Sequence, residues 1–136
     1  MTRQILYWTA TLLLAIWLLA GGIFDVTHAR AAVDILKTLG YPEYLCTILG
    51  VCKLLAVMAL LSPRTRLLRE WAYAGITFDG SGAFISHLAV RDGMTATAAP
   101  LLLLFLAAAS YCLRPSKLKM RPNPEPLSTP PETRLD

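Results

Sequence analysis

Charge is scarce in this chain, and that scarcity narrows its class before any motif is read. Only 16% of the 136 residues are Asp, Glu, Lys or Arg against 55% hydrophobic, a balance too apolar for an ordinary soluble domain. There are two histidines and three cysteines. Cys46, Cys52 and Cys112 form neither a CxxC pair nor a metal-ligand spacing. On a helix, Cys46 and Cys52 stand about 9 Å apart in rise, too far for a disulfide, so the thiols read as small buried apolar side chains. No haem-type pair of histidines falls within the apolar stretches, which disfavours an autonomous electron-transfer protein. A basic face is missing too. The net charge of +4 comes from short runs beside the apolar blocks, which excludes nucleic acid as a partner and points to the lipid bilayer.

The apolar residues are collected into four blocks of roughly 20 residues, the length needed to cross about 30 Å of hydrocarbon. The expected fold is all-α, an integral membrane four-helix bundle with spans at about 5–26, 43–62, 69–90 and 94–113. The first is too long for a signal-peptide core, carries Trp17 within it, and ends well before the small-residue site at Ala29-Arg30-Ala31. The second is entered after Gly40-Tyr41-Pro42 and left at Pro63. The third is the least hydrophobic, holding Asp79, Ser81, Ser86, His87 and three glycines. The fourth has no charge and tolerates Pro100 if neighbours satisfy the freed carbonyl. Between the first two, Ala32, Ile35, Leu36 and Leu39 give Thr27 to Leu39 the pattern of an interfacial helix. Residues 1–113 form the membrane domain. The segment 114–136 holds six of the nine prolines and reads as a disordered tail.

Four spans place the N-terminus, the Pro63 loop and the tail on one side, with Arg3, Arg64, Arg66, Arg69, Arg114, Lys117, Lys119 and Arg121. The other side has Arg30, Lys37 and Arg91. By the positive-inside rule, both termini are expected in the cytoplasm and the protein in the cell's inner (plasma) membrane.

An ionisable group in hydrocarbon costs roughly 2.5 to 3.5 kcal/mol on insertion scales, so each needs a partner or a purpose. Lys53 and Asp79 each lie about ten residues, or roughly 15 Å, from the Pro63 turn and so share a depth near the midplane. They are expected to pair across adjacent antiparallel helices, as a packing device or as a functional site. Gly75, Asp79, Gly82 and Ser86 fall on one face of the third span, expected to be its packing seam. Asp25, Glu43, Tyr44 and His87 are expected to gather at the opposite mouth, with His28 solvated there. His87 can donate to a carbonyl such as a quinone's. The candidates for ligand binding or proton relay are therefore Lys53, Asp79, His87, Ser86, Asp25 and Glu43; no catalytic residue and no metal site is indicated. The strings Gly22-Ile23-Phe24-Asp25 and Gly75-Ile76-Thr77-Phe78-Asp79 look alike, but place their aspartates at different expected depths.

The run Gly40-Tyr41-Pro42-Glu43-Tyr44-Leu45, then Leu49-Gly50-Val51-Cys52-Lys53-Leu54, then Glu70-Trp71-Ala72-Tyr73-Ala74-Gly75 with Phe78-Asp79 and Ser86-His87-Leu88-Ala89, resembles the DoxX-like family over roughly residues 5 to 113. The resemblance implies a four-helix membrane bundle. It also implies a range of roles: membrane subunits of quinone-linked oxidoreductases, helpers of redox maturation, and assembly factors. Lys53, Asp79 and His87 fall on polar positions of the family pattern, without a transferable catalytic role. The chain has no self-sufficient catalytic motif, so as an enzyme it is at most a quinone-linked subunit, and quinone is the one cofactor implied. The leading expectation is an accessory protein binding a quinone or other lipophilic molecule for a membrane redox partner, or acting as a homo-oligomer. A structural or assembly protein locked by an ion pair and a proton-coupled transporter are the alternatives.

Overall fold

Five helices account for most of the 2–62 and 66–115 segments described in the structure, a computed structural model. They are α1 (Thr2–Val26), α2 (Arg30–Thr38), α3 (Tyr44–Leu61), α4 (Arg66–Val90) and α5 (Met94–Leu113), and no strand occurs among the described residues. The expected tail lies, beyond Pro115, outside those residues, as does Pro63 itself.

Local chemistry sets the helix ends. At the close of α1, Thr27 Oγ1 donates to the Ile23 carbonyl at 2.7 Å and His28 adopts a left-handed φ of 51°, which turns the chain into α2. The short α2 buries Ala32, Val33 and Leu36 against Cys46 of α3, as its amphipathic pattern requires. Gly40, at a φ of 80°, then supplies the turn ahead of Pro42. A similar reversal at Arg91 and Gly93 joins α4 to α5.

The four long helices close a ring in which α1 packs on α3 and α5, and α4 on α3 and α5. Their common core is Leu14, Leu18, Val57, Leu60, Tyr73, Ile76, Leu103 and Ala107. Ile16, Met58, Phe78 and Phe105 face outward, the inverse of a soluble protein and the arrangement a hydrocarbon solvent favours. Three helices, α1, α3 and α5, are long and apolar enough to cross a membrane. The expectation of four rested on α4, whose 25 residues suffice in length, but Arg66, Arg69, Glu70, Asp79 and His87 keep its hydropathy below that of the others. With α2 included, the helices number five.

Helices α1 and α3 cross closely. A Cβ added at Gly50 would stand 2.8 Å from the Val26 nitrogen and 2.9 Å from Asp25 Cβ, and one at Gly22 would stand 3.2 Å from the Gly50 carbonyl oxygen. Two glycines thus let the backbones touch, the usual device for close packing of apolar helices. This corrects the expected seam on α4: Gly75 and Gly82 have no atom within 4 Å of an added Cβ. Their spacing does put them on one face, but that face borders open space. At the opposite end of the ring, Arg3 donates to the Cys112 carbonyl at 3.2 Å, and buried Arg69 caps the end of α3 through the Ser62 carbonyl. Buried Arg114 pairs with Glu70 and lies over the rings of Tyr73 and Tyr111. Arg69 and Arg114, counted in the sequence as interfacial cations, are structural groups of the ring.

Candidate functional site

Three charged side chains meet where α1, α3 and α4 face one another. Lys53 Nζ donates to Asp25 Oδ2 at 2.7 Å and lies 3.9 Å from Asp79 Oδ2. The sequence led to a pair, Lys53 with Asp79; the stronger contact is with Asp25, which is only 7% exposed. Asp25 was expected at the distant mouth because it closes the first apolar block. The Gly50 contact overturns that placement, since it holds the end of α1 level with Gly50, one helical turn from Lys53. A lysine stem spans the remaining gap. The two look-alike strings of α1 and α4 therefore deliver their aspartates to the same ammonium.

Lys53 gives its one side-chain hydrogen bond to Asp25, whereas Asp79 receives none among the described residues. Among the described residues its carboxylate has the 3.9 Å ionic contact and no hydrogen bond. Gly75 lies one turn before it and Gly82 one turn after, and neither puts a side chain beside it.

Two cavities occupy the space left open. The larger, about 670 Å³, lies between α3 and α4 over Leu18 of α1 and runs from Ser62 and Leu68 up to Lys53 and Asp79. Leu55, Met58, Trp71 and Ile76 are among its mostly apolar walls, and among the described residues Lys53 and Asp79 are its only charged lining residues. Leu55, Met58, Leu68 and Trp71 are also exposed on the outer surface, so the cavity opens sideways between the helices. The second, about 420 Å³, lies beneath α2 and is lined by Ala32, Ile35 and Leu36 together with Asp25, Tyr41, Phe78, Gly82 and Ser86. Leu49, Lys53 and Asp79 line both. The Lys53–Asp79 contact thus stands at the boundary of two chambers.

The other candidates divide. Ser86 borders the second cavity, where its hydroxyl is 2.9 Å from the Tyr41 hydroxyl and donates to the Gly82 carbonyl at 2.8 Å. Tyr41, in the turn after α2, was not singled out in the sequence; its place between a glycine and a proline was the available signal. His87 is not brought to the site. Eight residues after Asp79, it is rotated about 80° around the helix, and its Nδ1 lies 2.8 Å from Asp92 Oδ2. Glu43 is also elsewhere, 3.3 Å from His28 Nδ1, while His28 Nε2 lies 2.8 Å from Thr47 Oγ1. Tyr44 is exposed. The expected cluster of Asp25, Glu43, Tyr44 and His87 at one mouth does not form. A buried hydroxyl network missed in the sequence sits in the core instead: Ser110 Oγ lies 2.6 Å from Thr11 Oγ1 and 2.7 Å from the Tyr73 hydroxyl. It binds α1, α4 and α5 together without bordering either cavity.

No group of three His, Cys, Asp or Glu suited to a metal ion occurs among the described residues. Asp79 and Lys53 can instead supply an acceptor and a cation to the polar end of an apolar molecule.

Apolar outward faces on three helices long enough to cross a bilayer, with a charged trio held between α1, α3 and α4, define a helical membrane protein. The chain belongs to the DoxX-like family, whose model matches residues 9–110. That match takes in all five helices apart from the first turns of α1 and the last residues of α5. No curated protein and no solved structure matches it.

Proposed function

We propose that this DoxX-like membrane protein is an accessory protein that holds a lipophilic small molecule, quinone being one such compound, between α3 and α4 for a membrane redox partner. The observation that carries the reading is the cavity of about 670 Å³, mostly apolar, with Lys53 and Asp79 at one end. Its volume lies within the range of small-molecule sites, and its composition, apolar walls with few polar groups, is the usual one for such sites. In this reading α4 spans the bilayer beside α1, α3 and α5, because its charged groups are turned to partners: Arg69 to Ser62, Glu70 to Arg114, Asp79 to Lys53 and His87 to Asp92. Both termini lie in the cytoplasm and the membrane is the plasma membrane, following the excess of Arg and Lys at that end.

The test is extraction of the protein from its native membrane into a neutral detergent and mass spectrometry of what accompanies it. Wild type is expected to retain a lipophilic compound that Gly75→Leu, which fills the cavity from an unobstructed position, releases without unfolding. Identical ligand content in a folded Gly75→Leu protein rejects the reading. A second reading, a structural or assembly protein, is favoured by one observation, the 2.7 Å Lys53–Asp25 bond, which ties α1 to α3 without need of a ligand. It expects no retained compound in either protein.

A further inference from the structure

The chemistry left over at the trio says what kind of head group the cavity takes. Among the described residues, Asp25, Lys53 and Asp79 are the only charged ones lining either chamber, two acids against one base. The base is committed: Lys53 gives its hydrogen bond to Asp25 at 2.7 Å and stands 3.9 Å from Asp79. Among the described residues Asp79 has no hydrogen-bond donor, although an ionised carboxylate is an acceptor with room for several. Beside Asp79 on the cavity side is Gly75, with no atom within 4 Å of an added Cβ, so nothing screens the carboxylate from the cavity. A half-buried carboxylate without donors is costly, and among the described residues the excess acid has no counter-ion in either chamber.

A carboxylate or phosphate head would add a second negative charge beside two acids. A carbonyl head would offer an acceptor to an acceptor and be left to Lys53 alone, between the two carboxylates. A cationic donor meets both deficits at once, supplying the missing hydrogen bond and the missing positive charge. We propose that the cavity between α3 and α4 receives a lipophilic amine whose protonated nitrogen donates to Asp79, with its apolar chain along Leu55, Met58 and Trp71. This rests on the reading of the cavity as a lipophilic site and narrows its ligand by charge, to an amine in place of the quinone named as an example there.

The experiment uses the full chain in nanodiscs of zwitterionic lipid at neutral pH, with decylamine, decanol and decanoate as probes. These share a chain and differ in head group. Binding is measured for wild type, Asp79→Asn, Asp79→Glu and Gly75→Leu, and each probe is compared between proteins so that its partition into the bilayer cancels. A charge-assisted hydrogen bond corresponds to a preference of about tenfold or more. Decylamine is therefore expected to bind wild type about tenfold more tightly than decanol, with decanoate the weakest. Asp79→Asn should abolish the preference, Asp79→Glu should keep it, and Gly75→Leu should abolish binding of all three. Should Asp79→Asn fail to fold, the Asp79→Glu and Gly75→Leu comparisons decide alone. Equal binding of the three probes to wild type, a preference for decanoate, or an amine preference that survives in folded Asp79→Asn overturns the proposal. If the probes bind equally and Gly75→Leu still abolishes binding, the amine assignment falls while the lipophilic site stands. If none binds wild type, both fall.

Discussion

Removing the members of the charged trio one at a time should give three different losses of stability, because the three are unequally placed. Lys53→Met strands Asp25, which is 7% exposed and has lost its 2.7 Å partner, along with Asp79. Breaking a buried pair from one side costs about 3 to 5 kcal/mol, mostly the penalty of the charge left behind. Asp25→Asn leaves Lys53 a second carboxylate 3.9 Å away, within reach of a small movement of a flexible stem, so part of the interaction is recovered and the loss is about 1 to 3 kcal/mol. Asp79→Asn removes a contact that includes no hydrogen bond and should cost about 1 kcal/mol or less. The double variants sharpen this ordering. Lys53→Met with Asp79→Leu still strands Asp25, so it should remain as unstable as Lys53→Met alone. Lys53→Met with Asp25→Leu removes the bonded pair together and should recover much of the loss. Unfolding by sodium dodecyl sulfate in mixed micelles, followed by far-ultraviolet circular dichroism, measures all five. Asp79→Asn as damaging as Asp25→Asn, or full stability in the Lys53→Met/Asp79→Leu double, would refute the assignment of Asp25 as the principal partner.

Two further outcomes follow from packing. Gly50→Ala should destabilise by about 1 to 3 kcal/mol, since the new methyl meets the α1 backbone, whereas Gly75→Ala meets nothing and should stabilise by up to about 1 kcal/mol through helix propensity, both read in the same unfolding assay. Arg114→Met removes the partner of Glu70 and the cation lying over Tyr111, and should lower stability by about 3 kcal/mol, with Glu70→Gln in the same background restoring part of it.

The helices were legible in the sequence because apolar blocks, prolines and glycines mark them directly, and Lys53 and Asp79 could be placed together because both are counted from the same turn. Asp25 could not be placed that way. Its depth is set by a sideways approach of two backbones at Gly22 and Gly50, and rise along a helix carries no information about how far one helix slides past its neighbour. The glycines of α4 show a related limit. Periodicity puts Gly75, Asp79 and Gly82 on a common face, but an absent side chain is equally suited to close packing and to an open cavity, and the partner helix decides between them. His87 stands about 12 Å in rise beyond Asp79, and its azimuth directs it to Asp92. Hydropathy alone sets α4 below the other three long helices, because charges with partners in the fold count against it as if they were free.

The sideways opening of the larger cavity has a consequence for how any occupant would be measured. With α4 in the bilayer, as proposed, a molecule reaching Asp79 between Leu55, Met58, Leu68 and Trp71 arrives from hydrocarbon and not from water. Its occupancy then follows its mole fraction in the surrounding lipid. Two compounds at the same aqueous concentration, one partitioning strongly and one weakly, would fill the cavity to different extents with identical contacts inside it. Diluting the protein in buffer would change little; diluting the lipid would change much.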